Sequence, residues 1–256
     1  MKKLKIAANW KMNKTVAESS AYFQMFTAHH VYAEQIDVII CPPYTSLLTA
    51  AVELKGSKIF LGAQNLHWED KGAFTGEVSA PMLKEIGVEY VIIGHSERRH
   101  IMREDNQQIC HKLKTALQYG LKPILCVGET EEEREKGAMG EVIDEQILMA
   151  LNGLEVEQVE ELVVAYEPVW AIGTGKAALP EDAEGAAHHI KQVITKRFDA
   201  STAAKMCIQY GGSVNQDNIS SFVQLPSVSG VLVGGASLDA LTFSNLIHAS
   251  GKAVSA

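Results

Sequence analysis

Cysteine is scarce. Cys41, Cys110, Cys126 and Cys207 are the only four in 256 residues, and no two form a C-x-x-C pair. That argues against a zinc ribbon or a disulfide scaffold and fits a reducing, cytoplasmic setting. No stretch approaches 18 apolar residues, which excludes a membrane-spanning helix. The opening run MKKLKIAANW lacks the apolar core of a signal peptide, because Asn9 and Lys11 interrupt it. Positive charge is not in excess either. There are 23 basic and 31 acidic residues, a net charge of −8, so no basic face for a nucleic acid is expected. No linker or shift in composition divides the chain. Residues 1–256 therefore read as a single domain, of a length that α/β barrels routinely reach as one.

What the sequence does have is a repeat of short β-branched runs and longer amphipathic stretches. Strands are expected at residues 4–8, 37–41, 58–61, 90–93, 123–127, 162–166, 207–210 and 230–233. Most are near-continuous apolar runs, such as YVII and ILCV, the pattern of parallel strands covered on both faces. Ser79 with Pro81 should open a helix that Gly87 ends, and Gly120 should close another. Thr130 and Glu133 have capping-box spacing, and Pro180-Glu181-Asp182 opens a further helix. Eight such units fit either an open doubly wound sheet or a closed eight-stranded parallel barrel. The open sheet should carry a glycine fingerprint after its first strand, but Asn9-Trp10-Lys11-Met12-Asn13 has no glycine. Eight units in about 250 residues is barrel arithmetic.

A parallel barrel gathers its chemistry just past the C-terminal ends of its strands. Those positions hold Asn9 and Lys11, Gln64 and Asn65, His95-Ser96-Glu97, Glu129, Glu167, Ser213, and Gly234-Gly235. Each has a plain alternative. Lys11 alone would read as a surface lysine, Glu167 as a loop carboxylate and His95 as a hydrogen-bonded structural histidine. Their convergence on one rim favours chemistry. Tyr166, Pro168, Val169 and Trp170 put apolar bulk around Glu167, and a new helix starting at Ser96 would keep His95 neutral. Gly211-Gly212-Ser213 and Gly234-Gly235-Ala236-Ser237 follow the last two strands, where barrels often bind phosphate; two tight turns are the alternative. Ala171-Ile172-Gly173-Thr174-Gly175-Lys176 matches neither a Walker loop nor G-x-G-x-x-G. With Pro168 before it, it suits a closing lid. Residues 65–78 form a long segment fit for an interaction surface. The pairs His29-His30 and His188-His189 cannot share a helix face, so no metal is expected there. Cys126 reads as core rather than nucleophile, and the sequons at Asn13 and Asn218 carry no meaning in a cytoplasmic chain.

The motifs Asn9-Trp10-Lys11-Met12-Asn13, Gly94-His95-Ser96-Glu97-Arg98-Arg99, residues 165–176, Tyr210-Gly211-Gly212-Ser213 and Gly234-Gly235-Ala236-Ser237-Leu238 lie in one order. Together they resemble the triosephosphate isomerase family, over residues 4 to 249. The resemblance implies a closed eight-stranded parallel (β/α)8 TIM barrel. It implies an aldose–ketose isomerase of glycolysis and gluconeogenesis, acting on a small phosphorylated triose without metal or cofactor. Glu167 is then similar to the family's base, His95 to its neutral electrophile and Lys11 to its cation. Asn9 resembles the residue that orients Lys11, and Glu97 the buried carboxylate near it. Gly173, Ser213, Gly234 and Gly235 resemble the phosphate clamp. Ile172 and Leu232 resemble the apolar pair that closes over the base. The lid spans residues 167–178 and includes Pro168, Val169, Trp170, Ala171, Ile172, Thr174, Gly175 and Lys176. Thr75 resembles the residue that docks into the partner of a homodimer. Two departures stand out. Ala177-Ala178 follows Lys176 where many relatives have Thr or Val then Ala, and Lys14 replaces a common glycine. The alternatives are another sugar-phosphate barrel enzyme, which would need metal ligands or an aspartate pair at the strand ends, and a non-catalytic barrel that only binds phosphorylated ligands.

Overall fold

The computed structural model describes residues 3–30, 33–172 and 178–255. Eight parallel strands form a closed ring in sequence order, and the last pairs with the first. They are β1 (Leu4–Asn9), β2 (Ile36–Cys41), β3 (Ile59–Ala63), β4 (Tyr90–Ile93), β5 (Lys122–Val127), β6 (Val163–Tyr166), β7 (Cys207–Tyr210) and β8 (Gly230–Val233). Closure runs from Lys5 opposite Gly230 to Ala8 opposite Val233. This bears out the barrel and not the open sheet.

Helices surround the ring. Among the described residues they are α1 (Val16–His29), α2 (Leu47–Glu53), α3 (Ala80–Glu85), α4 (Ser96–His100), α5 (Asn106–Gln118) and α6 (Glu131–Glu135). They continue as α7 (Met139–Ala150), α8 (Val156–Glu160), α9 (Pro180–Arg197), α10 (Ala200–Lys205), α11 (Ile219–Val223) and α12 (Ala240–Ser255). The apolar runs of the strands are explained by two cores. Ala7, Ile39, Ile92, Ile124, Cys126, Ala165 and Leu232 pack inside the ring. Their neighbours Ile6, Ile40, Val91, Leu125, Val164 and Ile208 pack outward against the helices. Alternate residues of a strand point to opposite faces, so burial on both faces favours apolar residues at most positions, with Asp37 and Gln209 as buried polar exceptions.

Local expectations mostly hold. The Thr130–Glu133 capping box forms, with the Glu133 Oε2 accepting from the Thr130 N–H at 2.7 Å. Gly120 adopts φ +64° just past α5. Ser79 does sit at the start of α3, but its hydroxyl makes no cap bond. Gly87 does end the helix: Glu85 is its last residue, Ile86 caps it, and Gly87 follows at φ +84° in the left-handed position of a terminating glycine. β3 runs two residues beyond the expected end, through Gly62. That glycine belongs in the strand because a Cβ there would lie 2.4 Å from the Cys41 sulfur. Lys14 takes the glycine-like φ of +74°. Its ammonium lies 5.4 Å and 5.0 Å from the ring centres of Trp10 and Tyr22, cation–π contacts that offset the unfavourable backbone.

Candidate active site

The C-terminal ends of the strands surround a cavity of about 370 Å³, within the range of small-ligand sites. Asn9, Lys11, His95, Glu97 and Glu167 line one side, and Ile172 and Leu232 contribute apolar wall. Gly211, Gly212, Ser213, Gly234 and Gly235 line the remainder. A larger cavity of about 530 Å³ opens at the other end of β2 and β3, near Asp37, Lys58 and Glu89. Size alone would choose that one. The chemistry chooses the rim, where a carboxylate, an imidazole, an ammonium and two glycine loops converge.

Glu167 follows β6 and is 1% exposed. Such burial of a carboxylate requires donors. Its Oε2 accepts the Ser96 backbone N–H at 2.8 Å, and its Oε1 lies 3.0 Å from His95 Nε2. Two glycines make room for it. A Cβ on Gly128 would lie 1.8 Å from the Glu167 carbonyl oxygen, and one on Gly211 would lie 2.9 Å from its Cγ. His95 caps α4, its Nδ1 accepting the Glu97 N–H at 3.2 Å. That bond needs a lone pair on Nδ1. The ring is therefore neutral, with its proton on Nε2, facing Glu167.

Lys11 stands at φ +53°, in the left-handed region that a residue with a side chain rarely adopts. Asn9, at the end of β1, accepts the Lys11 N–H on its Oδ1 at 3.0 Å. The Lys11 ammonium pairs with Glu97 Oε1 at 2.7 Å. The Glu97 side chain is 42% exposed in this chain, not buried as the resemblance implies. The short helix α4 carries it at the edge of the cavity, where its two oxygens meet Lys11 and, at 3.6 Å, His95 Nδ1.

Of the expected lid, Pro168, Val169, Trp170, Ala171 and Ile172 are described, with a 3-10 turn over Val169–Ala171. Gly173, Thr174, Gly175 and Lys176 lie outside the described residues. Thr75 is exposed on the long loop after β3 and does not line the cavity. Among the described residues, no three His, Cys, Asp or Glu side chains are placed to hold a metal ion. Nor is any helix long and apolar enough to cross a membrane. Burial pushes the Cys126 thiol well up, and the Glu167 charge adds to this, so the thiol stays protonated as a core group.

Sequence reasoning noted Glu129 at a strand end but gave it no role. It is fully buried, and its Oε1 accepts from the Tyr166 hydroxyl at 3.0 Å and from the Trp170 indole N–H at 2.8 Å. Its backbone carbonyl takes the Val169 N–H at 3.1 Å. Val169 and Trp170, in the first half of the expected lid, are thus tied to the end of β5. Burial and the Glu129 charge raise the Tyr166 pKa, which keeps that hydroxyl a donor. The Gly128 and Ser96 contacts were also missed, since neither uses a side chain.

A family model described as triosephosphate isomerase matches residues 4–250. The triosephosphate isomerase of Dictyoglomus thermophilum is 50% identical over 247 residues, covering 96% of this chain and 99% of that protein. That of Carboxydothermus hydrogenoformans is 48% identical over 250 residues, 98% of this chain and all of the relative. That of Aquifex aeolicus is 49% identical over 243 residues, 95% and 98% of the two chains.

Proposed function

The chain belongs to the triosephosphate isomerase family, and from that premise we propose how its rim carries out the reaction. It is an intramolecular aldose–ketose isomerase that interconverts dihydroxyacetone phosphate and D-glyceraldehyde 3-phosphate. In our reading Glu167 removes a proton from the carbon beside the carbonyl and returns it to the neighbouring carbon. The charge that develops on the enediolate oxygens needs donors already in place. His95 supplies the Nε2–H and Lys11 its ammonium. The observation that carries this is the pair of contacts made by Glu167. Both of its oxygens are held in the resting site, by Ser96 N–H and by His95 Nε2. A substrate oxygen that takes the His95 proton releases one of them, so substrate binding and freeing of the base are a single exchange.

The phosphate goes to the two glycine loops. Gly235 opens a 3-10 turn, Gly235–Ser237, and first-turn N–H groups have no partner within their own turn. Ser213, Gly234 and Gly235 bind it from the barrel side, and Gly173 binds it from the lid. Ile172 and Leu232 exclude water, which protects an intermediate able to expel phosphate. Glu97 holds the Lys11 ammonium and Asn9 its backbone. No metal or cofactor takes part. The enzyme works in the cytoplasm as one barrel domain, in a homodimer into which Thr75 docks. It engages neither nucleic acid nor membrane.

The test is a coupled assay on glyceraldehyde 3-phosphate in EDTA. We expect undiminished turnover; none, or turnover lost to chelator, would sink the reading. Glu167→Gln should cut kcat by more than about 10³-fold while a phosphate analogue still binds. Activity within a few-fold of the parent would mean Glu167 is not the base.

A further inference from the structure

We propose that Gln64 is a positioning residue for Lys11, holding its backbone in the left-handed conformation that aims the ammonium into the site. The proposal rests on the reading of Lys11 as the cation. Gln64 is the first residue past β3. Its Nε2 donates to the Lys11 carbonyl at 2.9 Å and to the Cys41 carbonyl at 3.0 Å. A primary amide has two N–H donors on that nitrogen, and these two bonds use both. The Cys41 carbonyl also takes the Trp10 N–H at 3.2 Å. The first loop is therefore bound to the end of β2 directly and through Gln64.

Lys11 cannot hold this conformation by itself. The left-handed region at φ +53° is unfavourable for lysine, so the surroundings must maintain it. Packing within the chain does not do so, because Met12 is 95% exposed and Asn13 is exposed beside it. Two side chains do. Asn9 holds the peptide N–H and Gln64 the carbonyl, which fixes the chain on both sides of the Lys11 Cα. Remove the amide, and Lys11 is free to return to an extended conformation. Its Cα–Cβ bond then swings, and the ammonium moves away from His95 and Glu97. Asn9 acts from the end of β1, two residues before Lys11, whereas Gln64 acts from the end of β3, two strands away.

The test is a kinetic double-mutant cycle on the full-length protein. Gln64→Met keeps the length and removes both donors. Gln64→Glu keeps the shape but sets an oxygen against two carbonyls. Each should lower kcat/KM by about 10- to 100-fold, mainly in kcat, with the thermal midpoint little changed. On a Lys11→Ala background, Gln64→Met should cost nothing further, because the group it aims is gone. Retention of parental activity in both Gln64 variants overturns the proposal, as does a loss that multiplies with that of Lys11→Ala. If Lys11→Ala alone keeps full activity, the reading of Lys11 falls and takes the proposal with it. The two failures are thus distinguishable.

Discussion

Gly128 and Gly211 set the position of Glu167 by having no side chains. The tighter contact is at Gly128, where a methyl would have to share space with the Glu167 carbonyl. Main chain cannot step aside as a flexible side chain can, so Gly128→Ala must push β6 away from β5 at their rim ends. We expect a stability loss of about 1–3 kcal/mol, typical of overpacking. We also expect a fall in kcat of at least about tenfold, since the carboxylate leaves the Ser96 N–H. Thermal unfolding and steady-state kinetics on one preparation check both. A variant that is destabilised yet fully active would show that the base tolerates the shift. The side chains proposed to act on the substrate were legible in the sequence as rim residues. Asn9, Lys11, His95 and Glu167 stand at or within two residues of the ends of apolar runs, and all four line one cavity. The contacts that hold them were not. Ser96 contributes a backbone N–H, Gly128 an absence and Gln64 an amide whose partners lie 53 and 23 residues away.

Helix starts supply a pH dependence with a definite sign. Glu18 at the α1 box, Asp199 before α10 and Asp239 before α12 all have lowered pKa values. The first cause in each case is a backbone N–H, of Thr15, Thr202 and Thr242 respectively. The unfolded carboxylates titrate near 4.5 for Glu18 and 3.8 for the aspartates. Because the folded values lie below these, the stabilisation is complete above about pH 4.5. It is lost as the pH falls through the folded values. Thermal midpoints should therefore drop between pH 5 and 3, less steeply for Asp239→Asn. Equal slopes for variant and parent would contradict this. The Thr130 box was readable from spacing alone, whereas Ser79 shows the limit of such rules. Its hydroxyl is buried at 5% exposure beside the bridge to His67, away from the N–H groups it was expected to cap.

The ring as a whole leaves large apolar side chains uncovered near the rim. Met12 and Phe74 stand on the loops after β1 and β3, and Ile101 and Met102 follow α4. A solvated surface of this kind favours association. Sedimentation at micromolar concentration should give about twice 27.9 kDa. Ile101→Asp should raise the dissociation constant by about tenfold or more. A parent that sediments as a monomer would remove the role proposed for Thr75. The ring was legible from eight apolar runs and from the missing glycine after the first. How the rim loops lie against one another was not, because that depends on register between strands remote in sequence.

Closure of the ring through β8 and β1 has one more consequence. The outer helices close as well, since α12 lies against α1 with Phe26 and Phe243 stacked at 5.6 Å. Every strand thus has two neighbours, and none is an edge. In such an architecture the numbering of strands is a convention of synthesis and not a property of the folded object. A circularly permuted gene, with residues 3 and 255 joined by a short flexible linker and new ends opened near Gly153, should give the same barrel. Gly153 lies between α7 and α8, at the end of the barrel away from the rim. The permutant should therefore isomerise triose phosphate at a rate close to the parent's.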